Sequence, residues 1–189
     1  AEAGMQARFS HKLAIAPTAS ISIICGGTSA CIEPVPANIY THKTLSGAFP
    51  VRNPHLARLL TERGLDRPEI WQSIVEHEGS VQHLDGLTDD EKAVFRTAFE
   101  IDQRWIVELA ADRAPFLCQS QSLNLYLPAD IDKWDLHMLH WTAWERGVKS
   151  LYYCRSKSIQ RAGFAGGTRA GASLAATART DYEECLACQ

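Results

Sequence analysis

The stretch "SLNLYL" at residues 122–127 alternates apolar and polar positions, with Leu123, Leu125 and Leu127 on one side of an extended chain. Asp130 or Asp132 then stands where a helix cap belongs, and the helical pattern behind it runs to about Arg146, with Gly147 placed to end it. "VKSLYY" (148–153) reads as a second strand. A strand, a helix and a strand in that order predict a βαβ unit with parallel pairing and a right-handed crossover. The body of the chain is therefore expected to be α/β.

The segments before this unit fit that class. "KLAIA" (12–16) predicts a buried strand, running into "PTASIS", where Pro17 and the hydroxyls of Thr18, Ser20 and Ser22 mark a helix start that Gly26 and Gly27 soon end. The prolines of "EPVPANIYTHKTLSGAFPVRNP" (33–54) argue for a loop-rich stretch without long regular elements. Residues 68–78 predict a short amphipathic helix with Pro68 at its first position. "TDDE" (88–91) has the form of a capping box, in which Thr88 and Glu91 each satisfy a backbone N–H. The stripe Val94, Ala98, Ile101 and Trp105, with Phe95 and Phe99 beside it, predicts one helix continuing to about Ala111.

Composition excludes some classes of function. With 46% hydrophobic and 22% charged residues over 189 positions, the chain is built like an ordinary globular domain. Its net charge of −3 gives no electrostatic case for nucleic acid or an anionic membrane surface. No apolar run approaches the roughly 20 residues of a membrane helix. The opening "AEAGMQARFSHK" lacks a signal peptide's apolar centre and reads as mid-domain sequence, so a fragment is expected. Six cysteines are too sparse for a disulfide scaffold, four of them lie in apolar surroundings and read as buried, and a reducing, cytoplasmic setting follows.

After Tyr153 the character changes. From Arg155 to Thr180 there is no acidic residue, and Gly, Ala, Ser, Thr and Arg dominate. Such a segment offers too little apolar surface to offset its ordering entropy and predicts a flexible tether. At its far end Cys185 and Cys188 form a lone CxxC. Zinc normally takes four ligands, and the sequence offers no second pair; a mobile dithiol fits better. The 31 residues from Cys154 to Cys185 give a coil reach of roughly 30 Å, enough to carry thiols between two sites. Tyr152 and Tyr153, ordinarily packing residues, can also relay an electron with its proton. As neighbours on a strand they would face opposite ways, so such a pair must sit where the strand ends or twists. "PTAS" supplies hydroxyls and free N–H groups of the kind that cradle phosphate.

Together these segments resemble the C-terminal part of the large (alpha) subunit of class I ribonucleotide reductase. The resemblance rests on "APTASISIICGGTSACIEPVPANIYTHKTLSG", "SQSLNLYLP", "GVKSLYYCRS" and the paired cysteines of the tail. It implies the C-terminal portion of a ten-stranded α/β barrel over residues 1–154, followed by a flexible tail over 155–189. It implies that Pro17, Thr18, Ala19, Ser20 and Ile21 contact the diphosphate of a ribonucleoside diphosphate. Tyr152 and Tyr153 match the stacked pair that passes a radical from the small (beta) subunit towards the catalytic cysteine. Cys185 and Cys188 match the shuttle that reduces the active-site disulfide and is itself reduced by thioredoxin or glutaredoxin.

The same resemblance implies an alpha homodimer in the full-length protein and no cofactor or metal held by this stretch. The radical comes from the metal-containing small subunit, and allosteric nucleotides bind elsewhere in the full chain. The family's catalytic cysteine with its neighbouring Asn and Glu, its active-site disulfide pair and its nucleotide-binding region have no counterpart in these residues. The alternative from the residues alone is a non-catalytic thiol–disulfide carrier or interaction module, with a zinc-binding adaptor behind it.

Overall fold

A computed structural model describes residues 9, 11–44 and 47–156. The tether from residue 157 onward and both tail cysteines lie outside the described residues.

The first helix, α1 (Ala19–Ile24), starts just after Pro17 and closes at Cys25, with Gly26 and Gly27 at φ 91° and 74° turning the chain away. The segment before it is not a buried strand. Residues 11–14 are exposed, and Ile15 makes only a single parallel bridge to Gln121. Its backbone nevertheless pairs with 119–122 through Gln119 N–H to the Leu13 carbonyl and Ser122 N–H to the Ile15 carbonyl, at 3.0 and 2.9 Å.

Strands β1 (Ile39–Thr44) and β2 (Gly47–Arg52) form an antiparallel hairpin inside the stretch expected to be loop. Pro50 pairs with Thr41. A two-stranded ribbon tolerates proline because each strand keeps one unpaired edge. Next come α2 (Pro54–Glu62), capped by Asn53, and α3 (Pro68–Glu76), each opening on proline. Leu56, Leu60, Trp71 and Ile74 point inward from them and meet Val81, Leu84 and Leu87 in one buried cluster. Arg52 lies over the Trp71 ring at 4.6 Å, tying the hairpin to that cluster.

The capping box at Thr88 and Glu91 forms as expected, but the helix behind it does not continue to Ala111. Helix α4 (Asp89–Val94) stops, a short 3₁₀ turn follows at Ala98–Glu100, and α5 (Gln103–Arg113) begins afresh. Thr97 and Asp102 each open a new helical turn with a cap. Val94 and Trp105, two members of the expected stripe, are exposed.

The βαβ unit is present with shifted borders. Strand β3 (Leu125–Leu127) leads to α6 (Lys133–Glu145), capped by Asp132, and Gly147 at φ 77° follows the helix. The partner strand is β4 (Cys154–Ser156), not 148–153, and it pairs in parallel as Leu125↔Cys154 to Leu127↔Ser156. Val107, Leu125, Leu127, Leu139 and Ala143 fill the space between α5, β3 and α6. Leu123 joins a different cluster with Ala98, Ile106, Ala110 and Tyr126. Every residue from Leu123 to Leu127 is buried, so this segment is covered on both faces. Among the four cysteines in the described residues only Cys31 is buried; Cys25, Cys118 and Cys154 are exposed, against the expectation from their apolar neighbours.

Candidate functional site

The Tyr152–Tyr153 pair sits immediately before β4, not at the end of a strand leading to it. Its backbone is pinned to the β3 segment by three hydrogen bonds. Tyr152 N–H donates to the Leu123 carbonyl at 2.7 Å, Tyr153 N–H to the Asn124 side-chain oxygen at 3.2 Å, and Leu125 N–H to the Tyr153 carbonyl at 2.9 Å. Because the chain is not yet in regular strand geometry there, the two rings do not diverge. Their centroids lie 4.2 Å apart with planes inclined by 55°, and each residue is 41% exposed. The guanidinium of Arg155 lies over the Tyr153 ring, 5.4 Å from its centre.

At the other end of the site is the turn into α1. Thr18 occupies the N-cap position at φ 53°, a left-handed conformation unusual for a β-branched residue. Its carbonyl accepts the first intrahelical bond, from Ser22 N–H at 2.8 Å. The N–H groups of Ala19, Ser20 and Ile21 therefore precede the helical ladder and face outward from the helix end. Thr18 makes no side-chain cap, and the first turn carries no acidic residue. Ser20 and Ile21 are exposed. Such a turn is compatible with an anionic ligand.

Between these two features lies a polar cluster that the residue pattern did not single out. Glu33, 5% exposed, accepts three hydrogen bonds: from Asn124 N–H at 2.6 Å, from Asn124 Nδ2 at 3.0 Å and from the Tyr126 hydroxyl at 3.1 Å. Asn124 Nδ2 also faces Cys31 Sγ at 3.6 Å. Cys31 is bonded back to the α1 turn: its N–H donates to the Pro17 carbonyl at 3.2 Å and to Thr18 Oγ1 at 3.4 Å, and its thiol donates to the Pro17 carbonyl at 3.3 Å. One chain of contacts thus runs from Pro17 through Cys31 and Asn124 to the backbone of Tyr153.

The electrostatics of this cluster follow from its burial. Desolvation pushes the Cys31 thiol up to about 11, helped by the charge of Glu33 and opposed by Asn124 and Arg155. The thiol stays protonated near neutral pH, as its donation to Pro17 requires. Burial likewise raises the Glu33 carboxyl, against the pull of the Asn124 and Tyr126 hydrogen bonds and the Arg155 charge. Tyr126 is pushed well above the ordinary phenol range, mainly by burial and next by the Glu33 charge.

Two sequence signals could have found this cluster. Asn124 is the one amide inside the apolar run "LNLYL", and Glu33 stands in "CIEP", a few residues after the Gly26–Gly27 pair that ends α1. Assigning even positions of the strand to solvent hid the first.

The chain matches the family model described as ribonucleotide reductase, barrel domain, over residues 2–154. It belongs to the ribonucleotide reductase family. Among relatives, the ribonucleoside-diphosphate reductase large subunit of Invertebrate iridescent virus 6 is 49% identical over 160 residues, covering 82% of this chain and 17% of the relative. The putative ribonucleoside-diphosphate reductase large subunit of Frog virus 3 (isolate Goorha) is 44% identical over 186 residues, covering 98% of this chain and 32% of the relative. A solved class Id ribonucleotide reductase alpha subunit from Actinobacillus ureae aligns with a TM-score of 0.69 at 42% identity, covering 79% of this chain and 27% of that one. The reductase relatives are several times longer than this chain, which corresponds to part of their α/β barrel. Within the ribonucleotide reductase barrel, both the α1 turn and the tyrosine pair fall inside the matched residues.

Proposed function

We propose that this chain is a working part of the large subunit of a ribonucleoside-diphosphate reductase, which converts ribonucleoside diphosphates to 2′-deoxyribonucleoside diphosphates for DNA synthesis. The observation that carries this reading, beyond family membership, is the tyrosine pair with ring centres 4.2 Å apart. In this role the two phenols form a relay. One tyrosine, oxidised by loss of an electron and a proton, is restored by taking both from its neighbour, which is left oxidised in its place. Contact between the rings removes any need for a mobile carrier at this step. The small subunit, with its metal centre, supplies the oxidising equivalent when bound. Pro17 to Ile21 hold the substrate diphosphate at the α1 turn, where outward N–H groups and the helix end favour negative charge.

Cys185 and Cys188 complete the cycle in this reading. They exchange with the active-site disulfide and are reduced by thioredoxin or glutaredoxin, a reaction that needs sulfur in direct contact with sulfur. Allosteric nucleotides bind parts of the full subunit beyond these residues, and the full subunit forms an alpha homodimer in the cytoplasm. Among the described residues no helix is long and apolar enough to cross a membrane.

The test is multiple-turnover reduction by the full-length large subunit assembled with its small subunit. Replacing Cys185 and Cys188 together by Ser should abolish turnover with thioredoxin and leave it intact with dithiothreitol, which is small enough to enter the site. Equal failure with both reductants contradicts the shuttle. An unaltered full-length parent that makes no deoxyribonucleotide contradicts the reading as a whole.

A further inference from the structure

Glu33 and Asn124 are buried polar residues used by none of the steps above. A buried carboxylate is costly unless hydrogen-bond donors meet it, and here three donors reach its two oxygens. Two of the three come from one residue, Asn124, which is held through both its backbone N–H and its side-chain amide nitrogen. That grip fixes the orientation of the amide: with Nδ2 directed at Glu33 and Cys31, the oxygen is left to accept from Tyr153 N–H. The Cys31 side of the same amide leads to Pro17 and Thr18. Strain at this junction supports a fixed arrangement. Thr18, Cys31 and Ile32 all adopt positive φ, at 53°, 58° and 59°, which non-glycine residues hold only where their surroundings enforce it.

We propose that Glu33 and Asn124 are positioning residues of the reductase, a buried clamp that sets the phosphate-binding turn and the tyrosine relay in one register. This inference rests on the functional reading above and adds to it a link between substrate binding and the relay. Asn124 orients Tyr153 from its oxygen and the α1 turn, through Cys31, from its nitrogen. Glu33 decides which way round the amide lies. The Tyr126 hydroxyl supplies the third donor to the carboxylate, on the same oxygen as Asn124 Nδ2, and its ring packs edge-on against Phe99, 5.3 Å between ring centres.

The experiment is a carboxylate–amide exchange in the full-length large subunit, assayed with its small subunit. In Asn124→Asp two carboxylates face each other, and the clamp opens. The kcat should fall about a hundredfold, as misplacement of a reacting group by about an ångström does. The KM for the ribonucleoside diphosphate should rise about fivefold, the equivalent of one lost hydrogen bond. In the double variant Glu33→Gln with Asn124→Asp the amide and carboxylate trade places. The amide introduced at position 33 donates to the carboxylate introduced at position 124, and Tyr153 N–H keeps its acceptor. Most of both losses should be recovered. Ile74→Val, in the separate cluster between α2 and α3, serves as the stability control and should change neither constant.

Parent-like constants for Asn124→Asp overturn the inference. So does a double variant no better than the single, or a control that loses as much as Asn124→Asp for the same fall in melting temperature. A parent enzyme without reductase activity overturns the functional reading instead, which keeps the two failures apart.

Discussion

Asp102 illustrates how single residues set the borders of this fold. Its carboxylate caps α5 by accepting from Arg104 N–H at 3.0 Å and also pairs with the Arg104 guanidinium. The guanidinium hydrogen bond is the main reason its carboxyl titrates below the usual aspartate value. A depressed folded-state value means that the stabilisation is present above the ordinary aspartate range and is lost as pH falls through the lowered value. Asp102→Asn should therefore shrink the drop in melting temperature between pH 5 and pH 2, read by circular dichroism. Because the pair is exposed, the effect at neutral pH should stay near 1 kcal/mol or less, mostly from the cap. An unchanged acid profile contradicts this assignment. The tyrosines were legible as a pair from their adjacency, and their contact only through the family resemblance, because alternation along a strand turns neighbours apart. The contact depends on the chain being irregular at 152–153, which follows from hydrogen bonds to residues 123–125 some thirty positions away.

At the scale of elements, the failure of the continuous 88–111 helix is instructive. The apolar spacing Val94, Ala98, Ile101, Trp105 was real, but "TAFE" at 97–100 repeats the capping pattern of "TDDE" at 88–91. Thr97 N–H donates to the Glu100 carboxylate at 2.7 Å, and local caps override the stripe. The βαβ unit was legible because it rests on two strong local signals, a capped helix and an apolar strand. Its second border was not, because a three-residue strand is defined by its partner more than by its own pattern. The hairpin was missed for a similar reason: Pro50 spoke against a strand that cross-strand pairing supplies.

Gly79 gives the sharpest element-scale prediction. It lies at φ 84°, and an added Cβ would stand 2.5 Å from the Ala37 Cβ and 2.8 Å from the Ala37 Cα. Its carbonyl also accepts from the buried Asn38 side chain at 3.0 Å. Gly79→Ala should destabilise the domain by about 2–4 kcal/mol from combined backbone strain and overpacking. Asp132→Ala, which removes only the α6 cap on Trp134 N–H, should cost about 1 kcal/mol. Urea titrations of the two variants order these losses, and the reverse order contradicts the placement of Gly79.

For the whole molecule, the shares of the relatives and the surface tell one story. Both sheets among the described residues have two strands, and beyond β3 the Tyr126 N–H goes to the Gln103 side chain at 2.8 Å rather than to a third strand. Trp134, Trp141 and Trp144 on α6, with Ile24 and Phe116, are exposed although large and apolar. A surface of this kind suits a piece that is covered by further chain in a larger barrel. Expressed alone, the 189 residues should self-associate, and light scattering after size exclusion should show species larger than one chain; a clean monomer with a sharp reversible melt contradicts this.

The central claim, that the chain carries a radical relay through Tyr152 and Tyr153, is tested most directly by a single-turnover burst. Full-length large subunit, prereduced and freed of reductant, is mixed with its small subunit and a ribonucleoside diphosphate, and deoxyribonucleotide formed per site is counted. The parent and the Cys185, Cys188 double Ser variant should give the same burst, since the first turnover uses thiols already reduced. Tyr152→Phe and Tyr153→Phe should give none, because Phe keeps the packing, at a cost under about 1.5 kcal/mol, and lacks the phenolic proton. A normal burst from either Phe variant would contradict the relay and return the two rings to a packing role.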